Sequence, residues 1–261
     1  MKAEVAIIGG SGFETLFRNS KRQCLRTPYG FAPSLFFEKI GNKSVVFLPR
    51  HGPDHSIPPH KINYRANVCA LHMIGVERII GTNAVGAINH QFKPMDIVIP
   101  HDFIDFTKAR RATFHDKAPV THIDLSYPYC PEIRRLLAGA CRKTTLHVWD
   151  KAVVACTEGP RLETPTEVEM LRHLGCDVVG MTTYPEVVLA RELGMCYGAI
   201  CYVSNLASGM QERLTTIELL RVSKRILPRM EKLLIDTVEG LPVKSSNNCP
   251  CKSAIKDARF E

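Results

Sequence analysis

The chain has 261 residues, 45% of them hydrophobic and 23% charged, enough to bury the core of one large α/β domain. No stretch reaches the roughly 18 unbroken apolar residues of a membrane span, and a strand-like run starts at once, so a cytoplasmic protein with no membrane partner is expected. The formal charge of +8 comes from scattered basic residues, densest at Lys108-Ala109-Arg110-Arg111, with no RNA- or DNA-binding motif beside them; a solvated loop or attraction of small anions accounts for it, and no nucleic-acid partner is expected.

In chain order, apolar β-branched runs at 5–10, 44–49, 77–86, 96–106, 152–159, 177–183 and 198–205 predict strands, and helix-period segments at 63–74, 131–142, 164–174 and 185–193 fall between them. This alternation predicts a single-domain α/β fold with a largely parallel mixed central sheet flanked by helices. A last long helix is expected from an N-cap at Thr215 or Thr216, with Glu218 in its first turn, to about Val238. The domain then spans residues 1–240, and 241–261 reads as an irregular Pro/Ser/Asn-rich tail.

Of the ten cysteines, Cys69, Cys156 and Cys201 sit in apolar runs as small hydrophobes. Cys249-Pro250-Cys251 in the tail has no evident core role, and metal, disulfide and redox functions stay open for it. Two ligands do not make a zinc site, and no metal is expected.

Each strand run ends in polar punctuation: Ser11, then Arg50-His51, Asn83-Ala84, Glu158 through Glu163, Met181-Thr182 and Ser204-Asn205. Sites in parallel sheets collect beyond the carboxyl ends of the strands, so these residues should meet in one place. The glycine turn IIGGSGF (7–13) can bring backbone N–H groups and the Ser11 hydroxyl against an anion. It lacks the third glycine of a dinucleotide fingerprint and the lysine of a P-loop, and Phe13 stands where a nucleophile elbow needs glycine. In LPRHGPDHSIPPH (48–60), Arg50 presents a planar fork suited to phosphate and His51 adds a donor, while His51, Asp54, His55 and His60 match no metal-ligand spacing. In TEGPRLETPTE (157–167), helix capping accounts for Thr164, Pro165 and Glu167 and leaves Glu163 to face a ligand.

The segments IIGGSG (7–12), RHG (50–52), NYRANVCAL (63–71), TNAVGAI (82–88), DFIDFT (102–107), EGPRLET (158–164), MTTYPEVVLARELG (181–194) and SN (204–205) carry a family resemblance over roughly residues 3–236. With them the chain resembles the trimeric nucleoside phosphorylases, the purine nucleoside and methylthioadenosine phosphorylases, and within these the 6-oxopurine type acting on S-methyl-5′-thioinosine. The resemblance implies cleavage of a purine nucleoside with inorganic phosphate as co-substrate, giving free base and a ribose 1-phosphate, with no metal or organic cofactor. It implies phosphate binding by Ser11, Arg50, His51, Asn83, the Ala84 backbone N–H and Thr182, with Asn83 departing from the threonine of many methylthioadenosine phosphorylases. Met181, Leu162 and Ser204 would lie against ribose and base.

Glu163 and Asn205 are the implied catalytic pair. A carboxylate accepts from the N1–H of a 6-oxopurine but faces a lone pair on adenine, and an amide N–H donates to O6 or N7. In the family, Glu and Asn here accompany 6-oxopurine enzymes; the adenine branch carries a small hydroxyl residue and an aspartate, with a second aspartate at the position of Ala207. His55 and His122, the latter from a neighbouring subunit, would approach the 5′ end of the sugar, with Ile217 and Leu220 adding apolar surface for a methylthio group. That favours methylthioinosine, although a histidine also binds the 5′-hydroxyl of inosine or guanosine. A site finished by a neighbour implies a homotrimer or a hexamer built of two trimers. Two alternatives stand: a methylthioadenosine phosphorylase that tolerates Glu163 and Asn205, and a non-catalytic nucleoside or nucleic-acid binder, against which the full phosphate set argues.

Overall fold

The computed structural model describes residues 1–10, 17, 20–52, 55–213, 215–242, 249–256 and 258–259; Ser11 and Asp54 lie outside them. Strand β1 (Val5–Gly9) is buried along its whole length. Val5 and Ile7 enter one apolar cluster, Ala6 and Ile8 another, so a strand covered on both faces needs no polar side. Three short strands follow, β2 (Lys21–Gln23), β3 (Arg26–Thr27) and β4 (Gly30–Phe31), then β5 (Leu35–Ile40) and β6 (Lys43–Pro49). Strands β2 to β5 were not foreseen, because their residues are largely half-buried or exposed and show no apolar run.

The chain continues through α1 (Tyr64–Met73), β7 (Arg78–Ala87), β8 (Ile97–Val98) and β9 (Asp102–Phe106). The apolar run at 96–106 thus makes two strands, since Pro100 between them has no N–H to give a ladder. Next come α2 (Pro131–Cys141), β10 (Val148–Trp149), β11 (Val153–Thr157), α3 (Pro165–His173), β12 (Val178–Gly180), α4 (Thr183–Glu192), β13 (Cys196–Leu206), α5 (Thr216–Glu239) and the short α6 (Pro250–Ser253). Local chemistry fixes the starts: Asn63 accepts from the Ala66 N–H, Thr164 and Glu167 form a reciprocal capping box, and Thr215 accepts from the Glu218 N–H. In α4, Tyr184 is extended (φ −103°, ψ 135°), the conformation a following proline imposes, so regular helix begins at Pro185.

Eleven of the thirteen described strands form one mixed sheet with the path β10-β8-β13-β7-β1-β6-β5-β2, to which β12 joins through β7, β11 through β12 and β9 through β11, while β3 and β4 pair separately. Its centre, β6-β1-β7-β13, is parallel. Helices α2 and α5 cover one face through Ile133, Leu137, Ile226 and Met230, and α1 and α4 cover the other through Val68, Leu71, Val187 and Ala190. The expected α/β architecture is therefore present. No helix among the described residues is long and apolar enough to cross a membrane.

The C-terminal segment differs from the expected irregular tail. Leu241, Cys249, Cys251 and Ala258 are buried, α6 forms, and Arg259 bridges to Thr121. Cys249 and Cys251 have a core role after all, joining the cluster of Ile133, Leu137 and Cys196. Their sulfur atoms are not bonded to each other in this structure.

Candidate active site

A cavity of about 740 Å³ opens beyond the carboxyl ends of the central strands, a volume suited to a small organic ligand. It gathers Arg50, His51, Asn83, Ala84, Met181 and Thr182 with Leu162, Glu163, Ser204 and Asn205; His55 and Leu220 also line it. Five of the six polar strand ends thus meet in one place, and the sixth, Ser11, lies outside the described residues, although Gly10 beside it lines the cavity.

Arg50 follows directly on β6, and its side chain is 1% exposed. Its fork does not stand open to a ligand as expected. Nε and Nη2 donate to the Glu186 carboxylate at 2.7 and 3.0 Å, Nη2 also reaches the Ile8 carbonyl at 3.2 Å, and Nη1 donates to the Thr82 carbonyl at 2.6 Å. Of the five guanidinium N–H donors, one on Nη1 has no acceptor among the described residues. The reason is burial: a cation this deep must be neutralised within the chain. Tyr197 completes the pair by donating to Glu186 Oε2 at 2.8 Å. Gly81 makes room for that phenol, because a Cβ there would collide with the Tyr197 hydroxyl.

His51 Nδ1 lies 2.8 Å from the Ile57 carbonyl, which makes Nδ1 the protonated nitrogen and leaves Nε2 as an acceptor. Burial, and then the Arg50 charge, push the imidazole down from its usual 6.5 to about 4. At neutral pH His51 is uncharged and accepts where a donor was expected. Its ring stacks on that of His55 at 4.1 Å. Thr182 donates to Asn83 Oδ1 at 2.8 Å, and both side chains are buried.

Asn205 owes its orientation to a β-bulge. Along β13 and β7 the pairing runs Val203 to Val85 and then Asn205 to Gly86, so Ser204 is the extra residue. The Ser204 hydroxyl donates to Asn205 Oδ1 at 2.6 Å, and Asn205 Nδ2 donates to the Leu206 carbonyl at 2.8 Å. One amide hydrogen has no acceptor among the described residues. Glu163 Oε1 accepts from the Thr157 hydroxyl at 2.7 Å, and Oε2 takes no hydrogen bond among the described residues. The capping box on Thr164 and Glu167 fixes the helix that follows and leaves Glu163 outside it.

The expected 5′ pocket is only partly assembled within one chain. Leu220 lines the cavity beside Leu219 and Leu227, whereas Ile217, one turn nearer the start of α5 and 69% exposed, does not. His122 is exposed in a separate depression with His115, Asp116 and Glu192. Three contributors escaped the sequence reading. Glu186 and Tyr197 carry the signal of polar groups inside apolar runs, which demand partners. Arg110, read as part of a solvated loop, turns inward instead and ties the Thr157, Glu158 and Tyr184 carbonyls together at 3.1, 2.9 and 2.6 Å.

A parallel-centred α/β sheet with a nucleoside-sized cavity at its carboxyl rim defines the class. The chain belongs to the Phosphorylase superfamily, whose profile matches residues 4–239. It is 45% identical over 257 residues to a probable S-methyl-5′-thioinosine phosphorylase of Methanopyrus kandleri, covering 98% of both chains. It is 44% identical over 263 residues to the 6-oxopurine nucleoside phosphorylase of Pyrococcus furiosus, covering 97% of this chain and 98% of that one. Among solved structures, methylthioadenosine phosphorylase from Schistosoma mansoni in complex with adenine superposes with a TM-score of 0.92 at 30% identity, over 99% of both chains.

Proposed function

We propose that the chain is a purine nucleoside phosphorylase that cleaves a 6-oxopurine nucleoside with phosphate, releasing the base and a ribose 1-phosphate. One observation carries the reading: on one cavity, Glu163 keeps a carboxylate oxygen open and Asn205 keeps an amide hydrogen open. Together they match the N1–H and the O6 or N7 of a 6-oxopurine. Adenine would set a lone pair against Glu163, and mismatched buried partners cost on the order of several kcal/mol. The names of the relatives from Methanopyrus kandleri and Pyrococcus furiosus support this choice over the methylthioadenosine alternative.

Breaking the glycosidic bond builds positive charge on the sugar and negative charge on the leaving base, so the gain lies in stabilising both. Phosphate, the sole co-substrate, supports the sugar cation and then attacks the anomeric carbon. Ser11, Asn83, the Ala84 N–H, Thr182 and the remaining Arg50 N–H are its proposed donors, and His51 Nε2 accepts from its hydroxyl. Asn205, held by Ser204, donates to the departing purine, with Met181 and Leu162 against ribose and base. The apolar patch of Leu219, Leu220 and Leu227 favours a 5′-methylthio group, so S-methyl-5′-thioinosine is the preferred substrate. The proposal includes a cytoplasmic homotrimer or hexamer in which His122 completes a neighbour's site.

The test is release of free base from methylthioinosine, inosine, guanosine, methylthioadenosine and adenosine, each with and without phosphate. Phosphate-dependent release from the 6-oxo substrates, fastest from methylthioinosine, is expected. Release chiefly from methylthioadenosine would overturn the base assignment, and no release would return the chain to nucleoside binding without turnover.

A further inference from the structure

Four cysteines converge at the far end of β13 from the cavity. Cys196 is the first residue of β13, whereas Asn205 is its last but one. Cys130 is the N-cap of α2, Cys249 is the N-cap of α6, and Cys251 lies within α6. Their sulfur atoms all lie within 4.8 Å of one another, with Cys130 to Cys249 at 3.7 Å and Cys196 to Cys249 at 3.5 Å. All four residues are buried, none more than 5% exposed.

We propose that Cys130, Cys196, Cys249 and Cys251 bind one zinc ion as a structural tetrathiolate. A zinc held about 2.3 Å from each of four sulfurs in a tetrahedron sets them about 3.8 Å apart, close to the two separations above. A disulfide needs its sulfurs at about 2.05 Å, far inside any of them. Four sulfurs this close enclose a single ion, and a tetrahedron of thiolates suits zinc or iron, of which zinc is the ion of a closed structural site. The chain pattern agrees: a Cys-Pro-Cys pair from the C-terminal segment meets two cysteines that the domain places on one side of its sheet. The sequence reading set zinc aside because only two ligands were visible; the fold brings the other two from 119 and 53 residues away from Cys249.

Charge and need also fit. A zinc tetrathiolate is a dianion, and Arg191, 2% exposed, brings a positive charge to this end of the fold by donating to the Tyr127 and Pro128 carbonyls just before Cys130. Among its described residues the segment it would anchor has α6 as its one helix, four residues and too few to fold alone, so it depends on contacts with the domain. Metal binding here is folding energy for the C-terminal segment.

The full-length chain without a metal-binding tag, purified reduced and without chelator from zinc-supplemented cells, is analysed by elemental mass spectrometry. About one zinc per chain is expected, released when an organomercurial titrates the thiols, and a cobalt-substituted sample should show thiolate-to-metal charge transfer and tetrahedral d–d bands. Cys249→Ser and Cys251→Ser should each cut the bound zinc at least tenfold and expose the C-terminal segment to limited proteolysis, with base release intact. Metal-free protein with all ten thiols titratable after denaturation, or a mass four hydrogens light from two disulfides, would overturn the proposal. So would either serine variant keeping its full zinc.

Discussion

The two ends of the cavity are built on opposite plans. At one end, Arg50 and Glu186 are each 1% exposed and bonded to each other, to two backbone carbonyls and to Tyr197. At the other end, Glu163 and Asn205 are half-buried, and one Glu163 carboxylate oxygen and one Asn205 amide hydrogen make no hydrogen bond among the described residues. The difference follows from desolvation. A fully buried charge has to be neutralised by the chain before any ligand arrives, whereas a group that water reaches can wait for one. The closed end therefore holds its shape without a ligand, and the open end keeps hydrogen-bonding capacity for one.

The sharpest way to break this contrast is Glu186→Ala. It leaves the Arg50 guanidinium buried without its counter-charge, and a loss of about 3–5 kcal/mol in unfolding free energy is expected by chemical denaturation. A change below about 1 kcal/mol would mean that the pair does not hold the closed end together. Asn205→Asp should do the reverse. Stability should stay within about 1 kcal/mol, while replacing the amide donor with a carboxylate lowers kcat/KM on inosine by about 10²–10³-fold. Unchanged turnover would remove Asn205 from base recognition.

How far the sequence reached follows the range of the interactions involved. Periodicity and caps are local, so β1, β6, β7 and the helices that start at Asn63, Thr164 and Thr215 were all legible. The rim was legible because parallel strands expose their carboxyl ends, which is why Arg50, Asn83, Thr182 and Asn205 form one group already in the sequence. What stayed hidden depends on pairing across the chain. Arg50 finds Glu186 136 residues away, and nothing beside Arg50 announces that its fork is already engaged. The Ile57 carbonyl that turns His51 from donor to acceptor is close in sequence, but only the loop's path brings it to Nδ1. Ser204 as a bulge residue is equally invisible, since register is a property of two strands together.

His51 belongs to the closed end, and its titration measures how tightly that end is sealed. In the fold its imidazole protonates near 4, against 6.5 for an ordinary histidine. Between those values the unfolded chain takes up the proton first, so stability falls as pH drops from 6.5 towards 4 and does not change with this group above 6.5. The whole shift amounts to about 3 kcal/mol. His51→Gln should remove that part of the slope, read as the wild-type minus variant difference in unfolding free energy across the window. A difference that is flat with pH would show that water reaches the ring and that the closed end is looser than its hydrogen bonds imply.

The smallest expected effect concerns the outer wall, where α5 presents Leu220 to the cavity and Ile217 to the surroundings. Removing apolar contact worth one or two methylene equivalents costs about 1 kcal/mol. Leu220→Ser should therefore raise KM for methylthioinosine about fivefold and leave inosine, which has a hydroxyl at that end, nearly unchanged. Ile217→Ser should leave both alone if one chain supplies the wall. Should Ile217→Ser also raise KM for methylthioinosine alone, Ile217 must reach a site only in an assembly, and the outer wall, unlike the closed end, would be a surface that two chains build together.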